Sequence, residues 1–232
     1  MKKAILHSAV IAFAAISANA ATVNWGAVQD IALLSSAPNN TTLLGQGNFV
    51  RLGYFSISDS LIQSASTVAS LNANWTSYSD ALIGDGTFTD GLFAAADARD
   101  TTGAGNNLAN LQMYIWVIQA TNNTSLANAL ASATAQAVFY VDKAVNTEWQ
   151  FPATFNAQSS IDVGQMGTGG TALAASGHLV VGTFRSNNSG AVGVLGAGAD
   201  GIQVVAPVPE PTSVFLIAAG AAGLMMRRRR QS

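Results

Sequence analysis

The stretch Leu111–Ala120, LQMYIWVIQA, decides the fold class of this chain. It is almost entirely apolar, it is rich in aromatic and β-branched side chains, and it has the length of one strand. A short apolar run without regular polar alternation is typical of a strand that is buried on both faces. We therefore predict that this stretch forms a central strand of a sheet.

Similar runs occur on both sides of this stretch, and Gly- and Asn-rich turn signals separate them. Many short strands between turns predict a mainly β fold, either an antiparallel β-sandwich or a jelly-roll-like arrangement. The predicted strands are Asn48–Ile57, Ala137–Val141, Glu148–Phe151 and His178–Phe184, with weaker patterns at Thr22–Trp25, Thr87–Phe93, Ala191–Leu195 and Gly201–Val205.

Helical patterns are confined to two short segments of the central region. Asp59 can cap a helix whose apolar stripe runs to Ala69, and Thr124 and Ser125 can cap a helix over Leu126–Ser132. The predicted β fold therefore carries short helices only, besides the segments at the two termini.

Composition and charge exclude several classes of protein. The chain has 232 residues, no cysteine and 9% charged residues, which excludes disulfide scaffolds, thiol nucleophiles and thiolate zinc sites. Residues 21–206 contain four basic and eleven acidic side chains. An acidic body of this kind disfavours binding to nucleic acid.

The N-terminus has the pattern of a secretory signal peptide over residues 1–20. Lys2 and Lys3 precede an apolar run, Ala4–Ile16, and the small residues Ala18 and Ala20 occupy the −3 and −1 positions of a cleavage site. We predict that the secretion machinery exports the chain and that cleavage follows Ala20.

The C-terminus combines a proline-rich stretch, an apolar run and a basic cluster. Three prolines lie within Pro207–Pro211, where they disfavour helix and mark the end of the compact region. The following run, Val214–Met226, is uncharged and predicts a helix that can cross a membrane only marginally, because about 20 residues are usual. A basic cluster holds its end on the cytoplasmic side; it consists of Arg227, Arg228, Arg229 and Arg230.

The order of these three features resembles the PEP-CTERM sorting signal. The residues that carry the resemblance are Val208, Pro209, Glu210, Pro211 and Thr212, followed by the apolar run and the arginines. The resemblance covers residues 207–232 and implies a Gram-negative bacterium, recognition by an exosortase and cleavage near the Pro-Glu-Pro motif. It further implies transient anchoring in the inner membrane and release to the cell surface or an exopolysaccharide matrix.

The body at residues 21–206 shows no pattern typical of an enzyme. His178 is its single histidine, and no Gly-x-Ser-x-Gly motif is present. Its nearest pairs of acids, such as Asp142 with Glu148, lie at predicted turns. We expect no catalytic residue, no metal and no cofactor; the alternative that we considered is calcium bound by Asp80, Asp85 and Asp90, for which turn formation is the better explanation.

Two aromatic residues in a polar stretch, Trp75 and Tyr78, are the candidates for contact with a glycan. The sequence thus predicts a non-enzymatic surface or matrix protein associated with exopolysaccharide. The alternative is a carbohydrate-binding module for a matrix polysaccharide, and a glycan-active enzyme is a more distant third.

Overall fold

The computed structural model describes residues 20–27, 31–34, 42–65, 67–84, 88, 90–102, 107–154, 156–166, 177–185 and 200–207. Its strands are β1 (Ala21–Ala27), β2 (Ile31–Leu34), β3 (Phe49–Phe55), β4 (Trp75–Leu82), β5 (Phe93–Arg99), β6 (Tyr114–Ala120), β7 (Ala133–Val141), β8 (Gln158–Asp162), β9 (Gly177–Val181), β10 (Thr183–Arg185) and β11 (Asp200–Gln203). Its helices are α1 (Asp59–Gln63), α2 (Val68–Asn72), α3 (Leu126–Ala131) and two 3₁₀ turns, Thr147–Trp149 and Val163–Met166.

The largest sheet has five strands in the order β4-β3-β6-β7-β9, and all of its pairs are antiparallel. The predicted central strand is confirmed, because β6 lies in the middle of this sheet and its first five residues are buried. Two three-stranded sheets, β5-β1-β8 and β10-β11-β2, complete the described β structure.

The main hydrophobic core lies between the five-stranded sheet and β5-β1-β8. Side chains of Val23 and Trp25 on β1 belong to the same buried cluster as Leu52 on β3, Ile115 on β6 and Phe139 on β7. Alternate residues of these strands point to this side. The mainly β architecture is therefore sandwich-like, as the sequence predicts.

The opposite face of the five-stranded sheet has a second buried cluster beneath the helices. Ile62 of α1 and Leu71 of α2 pack there with Phe55, Trp116 and Val138 of the sheet. The middle strands are therefore buried on both faces, which is why Leu111–Ala120 lacks polar alternation.

Two of the eight strand pairs within the described ranges are parallel, and the other six are antiparallel. β1 pairs with β8 and β2 pairs with β11 in parallel. Parallel neighbours need long crossover connections, and both pairs join the beginning of the described body to a later segment.

Several local predictions also need correction. Glu148–Phe151 is not a strand, because Thr147–Trp149 forms a 3₁₀ turn. Of the strand predicted at Thr87–Phe93, Thr87 and Thr89 lie outside the described residues, and β5 begins at Phe93. The run after Asp59 forms two helices, and Asp59 is the first residue of α1, whose N-cap is Ser58.

The helix predicted at Leu126–Ser132 is confirmed as α3. The side-chain oxygen of Ser125 accepts a hydrogen bond from the backbone N–H of Asn128 at 3.2 Å. This is the N-cap interaction that the sequence predicts.

Two glycines are required by the close approach of neighbouring groups. A Cβ on Gly53 would overlap with the carbonyl oxygen of Thr76 and the ring of Trp75. Gly182 has φ +118°, and a Cβ there would lie 2.9 Å from the carbonyl oxygen of Gln203. Gly182 therefore divides the predicted strand His178–Phe184 into β9 and β10.

Most of the predicted terminal signals lie outside the described residues: Ala18, the predicted helices of the two termini, the motif Val208–Thr212 and the arginines Arg227–Arg230. The weak strand predicted at Ala191–Leu195 also lies outside them. Cleavage after Ala20 stays a prediction, and β1 begins at the next residue. Within the described ranges, no helix has the length and apolar character needed to cross a membrane.

Candidate functional site

An aromatic row crosses all five strands of the large sheet, on the face that carries the helices. In strand order it consists of Trp75, Phe55, Tyr114, Tyr140 and His178. Neighbouring ring centroids lie 4.6, 5.7, 4.7 and 4.6 Å apart. Contacts of this kind stabilise the sheet across the strands.

Helix α1 is fixed to this aromatic row by a carboxylate. Asp59 accepts hydrogen bonds from the hydroxyl of Tyr114 at 3.1 Å and from the hydroxyl of Tyr140 at 2.8 Å. Burial, followed by the nearby charge of Asp59, raises the pKa of Tyr114, and burial with the hydrogen bond to Asp59 raises the pKa of Tyr140. Both phenols therefore stay protonated, as donors to the carboxylate, to a higher pH than an ordinary tyrosine.

Helix α2 is fixed to the other side of the same face by Arg51. The Nε of Arg51 donates to Asp80 at 2.8 Å, and its Nη1 donates to the side-chain oxygen of Asn72 at 2.7 Å. The guanidinium carbon lies 5.5 Å from the ring centroid of Trp75 and 5.2 Å from that of Trp116. An arginine that is 4% exposed is thus paired with a carboxylate and flanked by aromatic rings.

The structure does not offer Tyr78 to a glycan. The residue is 0% exposed, and its hydroxyl donates to the carbonyl oxygens of Ala21 at 2.7 Å and Asp97 at 3.0 Å. Trp75 is half-buried, and it packs against Phe55 and Arg51. The polar stretch that holds them forms strand β4, in which an irregularity opposite Leu52 and Gly53 shifts the register. Tyr78 consequently points into the main core.

The remaining candidate residues within the described ranges have structural contacts, and Asp85 lies outside those ranges. His178 is exposed and stacks on Tyr140 at an interplanar angle of 9°. Asp142 and Asp100 accept hydrogen bonds from backbone N–H groups two residues later, as turn residues do. Asp80 is paired with Arg51, and within the described part of the chain no three acidic or histidine side chains converge on a metal position.

The outer face of β5-β1-β8 carries an open groove of about 440 Å³. Asn24 of β1 lies beside Ala96 of β5 and Ser160 of β8, and all three are exposed. Small side chains leave the groove shallow, while the amide and the hydroxyl supply neutral hydrogen-bonding groups. The lining residues are Asn24, Trp25, Gly26, Ala94, Ala95, Ala96, Ser160, Ile161 and Asp162.

Val205 is the last described residue that pairs with a strand, and it pairs with the edge of β7. Val205 and Gln136 exchange two backbone hydrogen bonds of 2.8 Å in an antiparallel bridge. Ala206 is exposed, and Pro207 is the last residue that the structure describes. The proline-rich stretch therefore begins two residues after the last pairing with the sheet.

The segment that follows this junction matches a known family at residues 207–230. The chain carries a PEP-CTERM protein-sorting motif. The motif implies that an exosortase sorts an exported protein to the cell envelope or surface, and no other family is assigned to the remaining residues. The comparison with curated proteins finds no match, and neither does the comparison with solved structures.

The residues that organise the helix-bearing face are absent from the sequence-based predictions of a site. The sequence predicts Asp59 only as a helix cap. It predicts Arg51 only as part of a strand. The available signal for Arg51 is a charged residue inside an apolar strand pattern, because a charged group buried in a sheet requires a partner.

Proposed function

We propose that this chain is a non-enzymatic protein of the cell surface or extracellular matrix of a Gram-negative bacterium. An exosortase recognises and cleaves the tail after transient anchoring in the inner membrane, and the released body associates with exopolysaccharide. The observation that carries the proposal is the PEP-CTERM motif at residues 207–230, which starts just after the last paired residue, Val205.

The junction supports cleavage without loss of the folded body. Pro209-Glu210-Pro211 follows Val205 by four to six residues, so a cut within this motif leaves the pairing of Val205 with Gln136 intact. An extended proline-rich substrate segment also has few backbone donors committed to secondary structure, which suits entry into a protease site.

The experiment that tests the proposal is the intact mass of the exported form in a host with and without its exosortase. We expect the mature protein to begin at Ala21 and to lack Val214–Ser232 when the enzyme is present. The variant Glu210→Ala should accumulate with its tail, whereas Glu148→Ala, an exposed acid on the body, should be processed normally. Extracellular material that retains Met225 and Met226 would contradict the proposal.

A carbohydrate-binding module remains the second candidate, and the groove of about 440 Å³ on β5-β1-β8 favours it. The exposed amide of Asn24 and hydroxyl of Ser160 can bond to sugar hydroxyls without adding charge. We expect Asn24→Ala with Ser160→Ala to weaken retention of the body on the host's purified exopolysaccharide at least threefold. Thr134→Ala, at an exposed position on β7, is the control. Equal retention of the double variant and this control would exclude the groove as the binding site.

A further inference from the structure

The direction in which the chain leaves the body is fixed by its last paired residue. Val205 pairs with Gln136 in an antiparallel bridge, so the chain from Val205 onward runs opposite to β7. Ala206 and Pro207 consequently point toward Ala133, where β7 begins and where α3 ends. We name the loop and helix at this end, residues 121–132, the exit surface.

The connection between the body and the apolar run is short. Eight residues, Ala206–Ser213, separate Val205 from Val214. At the rise of about 3.1 Å per residue of a polyproline II chain, eight residues reach about 25 Å. When the apolar run is inserted in a membrane, the end of the five-stranded sheet that carries the exit surface is therefore the end of the body nearest to the lipid.

The exit surface carries no charge. Residues 101–141 contain no Asp, Glu, Lys or Arg, and the exposed side chains of α3 are Ala127, Asn128 and Ala131. Leu126 and Leu130 are partly exposed on the same helix. A neutral surface with short side chains can approach anionic headgroups without the repulsion that the acidic body would otherwise experience.

Two acidic groups of the body, Asp142 and Glu148, lie at the opposite end of β7 from this surface. Asp142 and Glu148 follow the far end of β7, a strand whose nine residues span about 26 Å at about 3.3 Å per residue, well beyond a Debye length of about 8 Å. Asp90 follows β4 at the same end of the sheet as the exit surface, but β3 and β6 lie between β4 and β7. Asp80, near the end of β4, is paired with Arg51.

We propose that the exit surface is a membrane-apposed face, which lies against the lipid headgroups while the tail is inserted and before the body is released. This inference rests on the proposed function, because it requires insertion of the tail. It adds the orientation of the body, with α3 toward the lipid and the loop at Asp142–Glu148 away from it.

The absence of cysteine makes the test direct. Full-length Ala127→Cys and Val145→Cys variants, labelled with an environment-insensitive fluorophore, are reconstituted in vesicles of phosphatidylethanolamine and phosphatidylglycerol that contain a headgroup nitroxide lipid. Ala127 is exposed on α3, and Val145 is 71% exposed at the far end of β7. We expect at least twofold stronger quenching at position 127, and Ala131→Cys should reproduce it.

A lengthened connection provides the matched control. Ten Gly and Ser residues inserted between Ala206 and Pro207 should lower the quenching at position 127 to the level of position 145, while the chain still floats with the vesicles. Flotation with equal quenching at both positions in the natural-length chain would overturn the orientation alone. A chain that does not float with the vesicles would overturn the proposed anchoring as well. If quenching at position 127 requires added exosortase, the exit surface contacts the enzyme, and its assignment to lipid is overturned.

Discussion

The hydroxyl of Tyr140 donates a 2.8 Å hydrogen bond to the carboxylate of Asp59, across a separation of 81 residues. The same carboxylate also accepts from Tyr114. Through these bonds the first residue of α1 is held to the aromatic row, so a short helix keeps a defined position on the sheet. An isolated helix of this length is not stable in water.

Replacement of Asp59 by Ala should therefore destabilise the body. We expect a decrease in the free energy of unfolding of about 2 kcal/mol, because hydrogen bonds to a charged group contribute about 1.5–3 kcal/mol and two donors lose their acceptor. Urea denaturation followed by tryptophan fluorescence measures this change. Glu148→Ala is the control and should change it by less than about 0.5 kcal/mol; equal effects of the two variants would contradict the role of Asp59.

Stability should fall at alkaline pH because of the buried phenols. Burial is the main cause that raises the pKa of Tyr78 to about 12, and the pKa values of Tyr114 and Tyr140 are raised too. In the unfolded chain tyrosine ionises near pH 10, so above that pH the folded state binds more protons and the free energy of unfolding decreases with pH. The stabilising effect is complete below about pH 10 and is lost as the pH rises through the folded values.

Urea midpoints between pH 8 and pH 11.5, with tyrosinate absorbance as a second signal, measure this dependence. For Tyr78 alone the expected slope is about −1.4 kcal/mol per pH unit above pH 10. Tyr78→Phe should make the total slope shallower by about 1.4 kcal/mol per pH unit, which is the contribution of one proton. Titration of all tyrosines near pH 10 in the folded protein would contradict this expectation.

The ion pair between the buried Arg51 and the partly exposed Asp80 should contribute more than the pair between Arg99 and Asp97, in which neither side chain is buried. The side chains of the first pair are 5% and 32% exposed, and those of the second are 48% and 35% exposed. Arg51→Met should cost about 2 kcal/mol, because Asn72 loses its donor and Asp80 keeps only the contacts of 3.4 and 3.5 Å with Ser77. Arg99→Met should cost less than about 1 kcal/mol, and thermal unfolding of the two variants provides the comparison.

Gly53→Ala should be strongly destabilising, since its Cβ has no space between Thr76 and Trp75. Overpacking of this kind costs about 1–3 kcal/mol, and a rigid backbone carbonyl places this position at the upper end. Gly45→Ala is the matched control, because a Cβ at Gly45 meets no atom within 4 Å. Chemical denaturation should show a clearly lower free energy of unfolding for Gly53→Ala than for Gly45→Ala. If neither substitution lowers it, β4 can move away from β3.

Replacement of the four arginines, Arg227–Arg230, by serine should abolish processing of the tail. Without positive charges the apolar run has no anchor on the cytoplasmic side, so the tail passes through the membrane uncleaved. The mass of the exported chain checks this result. Replacement by lysines, which keeps the charge, should restore cleavage, and normal processing of the serine variant would contradict the expected role of the cluster.

The sequence predicts those parts of the fold that have strong local patterns. Leu111–Ala120 is apolar throughout because both of its faces are covered, and Ser125 caps α3 through a local hydrogen bond. The PEP-CTERM motif is also recognised from a local stretch of sequence, because the order and spacing of its residues do not depend on the fold.

The errors arise where distant contacts override the local pattern. The stretch Asn74–Tyr78 is polar enough to resemble a loop, yet pairing with β3 and the ion pair of Asp80 with Arg51 make Trp75–Leu82 a strand. Tyr78 resembles an exposed aromatic residue for the same reason, although its hydroxyl satisfies two distant carbonyl groups in the core. The contacts of Tyr78 have no signal in the neighbouring sequence, and the pattern around Arg51 indicates that it needs a partner but not which residue that partner is.

The parallel pairing of β2 with β11 has a consequence for the timing of folding during export. Ile31–Leu34 pairs with Asp200–Gln203, so the partner of an early strand is synthesised and translocated almost last. Contacts of such high sequence separation form late because a long loop must close first. The body thus completes its fold only when nearly all of it has crossed the membrane, shortly before the tail itself reaches the translocation channel.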